Sequence, residues 1–225
     1  KRHILIAINI RGFSNLNEIL GIKVGDRCLQ SLGQRLADTN KVGGKHARLD
    51  GDVFLSLIPL AKDAHADRCA QDFMTSLAKP LHVDSLELNL KFWAGIANYP
   101  HDGDDADSIF RRTMIALDYS EKDNKPIRYY HIGEEEVRHQ HIKIIEALRL
   151  ALTLDDGQLY MNYQPKLNLK TGKIDKVEAL IRWKHPELGF ISPEIFISYA
   201  EQTGIIFDLT AWVIDTVLKQ LKDWQ

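Results

Sequence analysis

Arg48-Leu49-Asp50-Gly51-Asp52-Val53-Phe54 is the stretch whose reading decides the fold of the first two-thirds of the chain. Ala47 to Leu49 and Val53 to Leu57 read as two short strands, with Asp50-Gly51-Asp52 as the turn between them. Gly tolerates positive φ, and Asp bonds its own neighbouring backbone, so the triplet is built for a tight reversal. Val53, Leu55 and Leu57 alternate with Phe54 and Ser56, the pattern of a strand packed on at least one face. Such a hairpin carries two carboxylates to its tip.

The elements on either side extend this start. His3 to Ile10 is a short apolar run, read as a buried strand. Gly12-Phe13-Ser14-Asn15 opens a helix to about Leu20; Gly21 breaks it, and a second helix runs from Val24 to Ala37. A polar loop from Asp38 to Gly44 leads to the hairpin. Further elements follow: a helix over Ala61 to Ala78, a second hairpin pairing Leu81 to Val83 with Leu86 to Ala97 around Asp84-Ser85, a loop at Tyr99-Pro100, a helix from Asp107 to Glu121, and a strand from Ile127 to Tyr130. This order predicts an α+β domain, with helices on both faces of a central sheet.

Glu134-Glu135-Glu136 then opens a helix favourably, because carboxylates complement the positive helix N-terminus. From Ile142 to Leu154 that helix is apolar nearly all round, which predicts cover on both sides and a position between two domains. Strands at Gln158 to Pro165 and Ile174 to Trp183 flank a Lys170-Thr171-Gly172-Lys173 turn. Helices from Pro193 to Gln202 and Phe207 to Trp224 follow.

Composition narrows the function classes. The chain has 225 residues, 29 Lys+Arg against 31 Asp+Glu and a formal net charge of −2. That balance gives no electrostatic case for nucleic acid. No apolar run reaches the ~20 residues of a spanning helix. The two cysteines, Cys28 and Cys69, read as buried thiols of a reducing compartment, so the cytoplasm is expected. Lys1 stands where a methionine would, so the chain reads as a piece of a longer protein, which segments before Lys1 could tether to the inner membrane.

The hairpin and its surroundings resemble diguanylate cyclase (GGDEF) domains. The resemblance covers about Ile4 to Tyr130 and rests on Phe13, Asn17, Gly21, Gly25-Asp26, Arg48, Gly51-Asp52, Phe54, Tyr99-Pro100 and Ala116-Leu117. In that family carboxylates hold divalent metals on the phosphates of GTP while a 3′-hydroxyl attacks the α-phosphate. Here the pattern departs at most of the charged positions. The metal-binding aspartate corresponds to Asn9 and the next acidic position to Arg11. Asp52 remains, but the neighbouring glutamate is Val53. The phosphate-facing lysine aligns with Glu121, a reversal of charge, with Lys125 as a remaining cation. The Arg-x-x-Asp inhibitory site corresponds to Lys41 and Gly44. Asn17 and Asp26 match positions that contact guanine, and both also read as helix caps. The resemblance implies a degenerate domain that makes no cyclic di-GMP and that can hold GTP or GDP as an effector.

In the second segment, alternation puts Val177, Ala179, Ile181 and Trp183 on one side of a strand and Glu178, Leu180 and Arg182 on the other. Asn162 and Gln164 share a side of the preceding strand. A Glu and an Arg facing inward need a metal, a phosphate or each other. The alternative is a Glu178–Arg182 pair on a partly wet edge strand. Tyr163-Gln164-Pro165, Val177-Glu178-Ala179-Leu180-Ile181-Arg182-Trp183, Ile191-Ser192-Pro193 and Ala200-Glu201-Gln202-Thr203-Gly204 resemble the opening of an EAL domain, a family that hydrolyses cyclic di-GMP. The resemblance implies that Glu178 ligates Mg²⁺ or Mn²⁺ and that Gln164, Leu180 and Arg182 contact the dinucleotide. A barrel of that class needs about eight strands and ~250 residues, and two of its strands precede Gln225.

The expected organisation is a degenerate GGDEF domain at 1–131, a linker helix and the approach to the second domain at 132–157, and the first part of an EAL domain at 158–225. The expected parent is a cyclic di-GMP phosphodiesterase regulated by its silent cyclase-like domain. The alternative is a non-catalytic receptor for cyclic di-GMP or GTP acting through protein contacts. The open sheet edges and the apolar stripe Val213, Val217, Leu221 and Trp224 lead us to expect self-association or cover by a longer chain. His101-Asp102-Gly103-Asp104-Asp105 fits no twelve-residue calcium loop and reads as a turn before a helix; His139 and His141 read as a solvated face.

Overall fold

A computed structural model describes residues 1–39 and 43–224, and the statements below concern those residues. The chain divides into two compact units, Lys1–Glu135 and Glu136–Gln225.

In the first unit the strand β1 (His3–Ile10) is the centre of the packing. Its successive side chains point to opposite faces. Ile4, Ile6, Ile8 and Ile10 pack with Cys28, Leu29, Leu32 and Leu36 of the helix α2 (Ile22–Asp38) and with Ala70, Phe73, Met74 and Leu77 of α3 (Ala66–Leu77). Leu5 and Ala7 point the other way, into clusters that include Ile109, Ile115, Ala116 and Leu117 of α4 (Ala106–Lys122). A strand buried on both faces reads as a continuous apolar run, as His3 to Ile10 does. The sheet has five strands in the order β2 (Lys45–Arg48), β3 (Val53–Pro59), β1, β6 (Phe92–Tyr99), β7 (Ile127–Tyr129). β1 is antiparallel to β3 and β6, and β7 is parallel to β6. The expected α+β architecture, with helices on both faces, is therefore found.

The turn at 50–52 forms as its residues dictate. Gly51 has φ 55°, its N–H donates to Asp50 Oδ1 at 2.8 Å, and its carbonyl accepts from Arg48 Nε and Nη2 at 2.8 and 2.6 Å. Gly95 sets the spacing between α4 and β6. A Cβ there would stand 2.1 Å from the Leu117 amide nitrogen and 2.5 Å from the Thr113 carbonyl oxygen.

Several boundaries differ from the expectation. The helix expected from Ala61 starts at Ala66, because the Ala64 N–H closes a turn on the Ala61 carbonyl first. The run Leu86 to Ala97 is two strands: β5 (Leu86–Leu88) pairs only with β4 (Leu81–Val83), and β6 joins the main sheet. One alternating apolar pattern served two different sheets. Asn17 and Asp26 cap nothing: they lie inside α1 (Phe13–Leu20) and α2, whose first turns begin at Gly12 and Gly21. Lys41 falls outside the described residues.

In the second unit α5 (Glu134–Leu154) runs on from its first turn in the first unit. Leu148 and Ala151 are buried, while Ile142, Leu150 and Leu154 are about half exposed. β8 (Leu159–Leu167), β9 (Ile174–His185) and β10 (Gly189–Ile191) form an antiparallel sheet with β9 in the middle. β10 lies where only a loop was expected, and it moves β9 off the sheet edge. Trp183 and Phe196, both 0% exposed and edge-on at 5.5 Å, anchor a core with Leu148, Leu159, Ala200 and Leu209. Phe196 and Ala200 come from α6 (Pro193–Thr203), and Leu209 from α7 (Ile206–Trp224). No helix among the described residues is long and apolar enough to cross a membrane.

Candidate functional site

At one end of the first sheet, the finish of β1, the hairpin tip and the end of α4 meet. Register puts Asn9 of β1 opposite Val53 of β3 on one side and Trp93 of β6 on the other. Asn9 Nδ2 donates to Glu121 Oε1 at 2.9 Å, joining residues 112 positions apart. An aspartate at position 9 would set two carboxylates against each other there; an amide turns the contact into a hydrogen bond to an anion. The amide at 9 and the carboxylate at 121 are thus matched as donor and acceptor.

The field at this end of the sheet is acidic. Burial raises the Asp52 carboxyl above the ordinary range, against the lowering pull of its own and the Ile10 backbone N–H groups and of Arg48. Glu121 is also raised, first by burial and then by the charges of Asp118 and Asp52. Arg11 does not offset them with a close ion pair: its guanidinium stacks 4.5 Å from the Trp93 ring centroid. Lys125 closes the turn after α4 through its backbone N–H, which bonds the Ser120 carbonyl. Asn9, Arg11, Asp52, Val53 and Glu121 therefore gather at this end of the sheet. Asn17 packs instead against Gly25, where a Cβ would lie 1.8 Å from its Oδ1, and that oxygen is buried without a hydrogen-bond partner. Asp26 is exposed.

In the second unit β8 and β9 bring Gln164 opposite Glu178, Asn162 opposite Leu180 and Tyr160 opposite Arg182. Directly opposed residues of an antiparallel pair share a face, so the expected set Gln164, Glu178, Leu180 and Arg182 lies on one side of the hairpin. Glu178 does not pair with Arg182. Its Oε2 meets Lys166 Nζ at 2.8 Å, and Arg182 Nη1 donates to the Ile181 carbonyl. The Glu178 side chain is 48% exposed, so it is not inward-facing in this unit. It offers one hard oxygen ligand. Among the described residues no group of three or more His, Cys, Asp or Glu side chains is placed to hold a metal ion.

The model of the diguanylate cyclase GGDEF domain matches residues 1–126. The chain belongs to the GGDEF family. Behind its GGDEF domain the EAL domain model matches residues 145–225. The cyclic di-GMP phosphodiesterase NbdA of Pseudomonas aeruginosa is 31% identical over 96% of this chain and 27% of its own length. MucR of the same organism, named a bifunctional diguanylate cyclase/cyclic di-GMP phosphodiesterase, is 30% identical over 100% of this chain and 33% of its own. The chain thus spans about a third of the length of these relatives. Among solved structures, an EAL/GGDEF domain protein from M. capsulatus matches with TM-score 0.53 and 26% identity, covering 58% of this chain and 86% of that one. The GGDEF domain of TpbB (YfiN) from Pseudomonas aeruginosa matches in fold, with TM-score 0.56 and 24% identity over 62% of this chain and 83% of its own.

Two residues of these sites were missed in the sequence. Trp93, the partner of Arg11, was hidden in an apolar strand, and no local signal marked it. Lys166 was findable, because it continues the Asn162–Gln164 alternation onto the face of Glu178. The raised Glu121 carboxyl of the GGDEF domain also has a consequence for stability. A carboxyl whose folded pKa exceeds its unfolded value binds protons more readily when folded, so folding gains as pH falls through the raised value to the ordinary carboxylate range. Glu121→Gln keeps an acceptor for Asn9 and removes the charge. The variant is expected to exceed the wild type at pH 7 by less than about 1 kcal/mol, given the open site, and the gap is expected to close only at about pH 4, below the ordinary glutamate range. Urea midpoints at both pH values test this; a gap independent of pH contradicts it.

Proposed function

We propose that this chain is part of a cytoplasmic cyclic di-GMP signalling protein in which a catalytically silent GGDEF domain regulates an EAL phosphodiesterase domain that opens cyclic di-GMP to linear pGpG. The observation that carries the reading is the face of β8 and β9 on which Gln164, Glu178, Leu180 and Arg182 line up. Gln164, Leu180 and Arg182 hold the dinucleotide, with Arg182 offering its guanidinium to phosphate. Glu178 would be one ligand of an Mg²⁺ or Mn²⁺ in the completed domain, which when bound would supply Lewis-acid polarisation of phosphate and a more acidic water. Lys166, 2.8 Å from Glu178 Oε2, supplies its counter-charge. The exposed apolar residues Ile214, Leu218, Leu221 and Trp224 of α7 are covered by the rest of the EAL domain or by a second chain.

In a protein with the complete EAL domain, Glu178→Gln removes an anionic ligand while keeping the shape of the side chain. Loss of an outer-shell partner of a metal ligand already costs about 10–100-fold. Loss of the ligand itself is expected to lower pGpG formation by a hundredfold or more. Unchanged turnover excludes Glu178 from the site.

A second reading concerns the GGDEF domain and rests on the buried, unpartnered Asn17 Oδ1. Turned off Gly25, that acceptor meets an amino or imino N–H of guanine, with Asp26 nearby in sequence on α2, so GDP or GTP serves as an effector. The carboxylates of Asp52 and Glu121 oppose the phosphates, and the weaker-charged nucleotide is favoured.

A further inference from the structure

The start of α5 is held by more charge than an ordinary helix beginning requires. Glu135 is 8% exposed, and its two carboxylate oxygens accept from Arg111 Nε at 2.9 Å and Arg112 Nε at 3.0 Å, both on α4. Arg112 also donates to the Asp102 carbonyl at 2.8 Å and lies 5.5 Å from the Tyr130 ring centroid. The neighbouring Glu134 accepts from Arg128 Nη2 at 2.7 Å and from the His131 N–H at 3.0 Å. Arg128 is in turn 3.1 Å from Asp123 and stacks on Tyr119. Three arginines from α4 and β7 thus converge on two consecutive glutamates at the first turn of one helix. Hydrogen bonding to Arg111, ahead of the desolvation that opposes it, holds the Glu135 carboxyl below the usual range.

Two glutamates at a helix start already satisfy the dipole there, at modest benefit. Burying one and giving it two guanidinium groups is a larger commitment, because an ion pair out of water tolerates loss of either partner poorly. The helix so anchored has 21 residues without a break, about 30 Å at 1.5 Å per residue. We propose that Glu134 and Glu135 form an electrostatic latch that fixes the start of α5 to the GGDEF domain. Changes in α4 or β7 reach the first turn of α5 through Arg111, Arg112 and Arg128. This inference rests on the regulatory reading of the GGDEF domain, and its test does not depend on any hydrolase activity.

The test is hydrogen exchange on the 225-residue chain and on two variants, Glu135→Gln and the double change Arg111→Ala, Arg112→Ala. The first four amides of a helix have no intrahelical acceptor, so the informative amides begin at Arg138. With the latch broken, amides of 138–142 are expected to exchange about 10- to 100-fold faster. Those of β1 and of Leu148 to Leu152 are expected to keep their protection. Unchanged exchange at 138–142 in both variants overturns the latch. Should the double variant also lose protection in β1, Glu135→Gln decides: faster exchange at 138–142 with β1 intact supports the latch, and its absence overturns it.

Discussion

Incubated with GTP and Mg²⁺ or Mn²⁺, the chain is expected to form no detectable cyclic di-GMP. Three positions act in the same direction. By the resemblance to the family, Asn9 stands where an anionic metal ligand is expected, Val53 where the hairpin glutamate is expected, and Glu121 where a lysine is expected. Losing one preorganised charged group at a reacting centre costs about 10²–10³ in rate, and three such losses leave nothing an assay resolves. The Asn9–Glu121 hydrogen bond sharpens the expectation. Asn9→Asp alone sets a new carboxylate against Glu121 and so fails to restore activity. Glu121→Lys alone removes the acceptor that Asn9 uses. Restoration, if it comes, requires Asn9→Asp, Val53→Glu and Glu121→Lys together. Product formation by the unmodified chain, or by Asn9→Asp alone, contradicts this account of the site.

The second large effect is structural. Gly95→Ala adds one methyl group at a place where backbone, not a flexible side chain, already stands at 2.1 and 2.5 Å. Nothing there swings aside: relief requires α4 to move off β6, which loosens the packing of Ala97, Ile115, Ala116 and Leu117. Overpacking of a well-filled core typically costs about 1–3 kcal/mol, and a backbone clash on this scale is expected at or above the top of that range. The site end of α4, with Glu121, shifts with it. A urea midpoint within about 1 kcal/mol of the wild type would mean that α4 and β6 are less tightly apposed than the structure has them.

Much of the fold was legible because local pattern and long-range packing agree. β1 is apolar on both faces and reads so. Asp50-Gly51-Asp52 is a turn by its own chemistry, and α5 announces itself by its acidic start. The failures came where one pattern had two structural solutions. Leu86 to Ala97 alternates throughout, yet Leu86 to Leu88 pairs with β4 and Phe92 to Tyr99 with β1. Alternation reports the face of a strand and not its partner. Asn17 and Asp26 looked like caps because their residue types favour caps, but Gly12 and Gly21 set the helix starts. At the site, residue types identified the candidates, and the contacts remained invisible. Neither the Asn9–Glu121 bond nor the stacking of Arg11 on Trp93 has any local signature, since each joins elements far apart in the chain. Glu178 with Lys166 is the intermediate case, legible in principle from the spacing of two neighbouring strands.

The central claim is that the working chemistry belongs to the EAL domain and the GGDEF domain serves it. The most direct measurement supplies cyclic di-GMP and, separately, GTP to a protein with the complete EAL domain, with Mg²⁺ or Mn²⁺ present, and identifies the products. The account predicts linear pGpG from cyclic di-GMP and no cyclic di-GMP from GTP. Cyclic di-GMP accumulating from GTP, or cyclic di-GMP left intact with either metal, contradicts it.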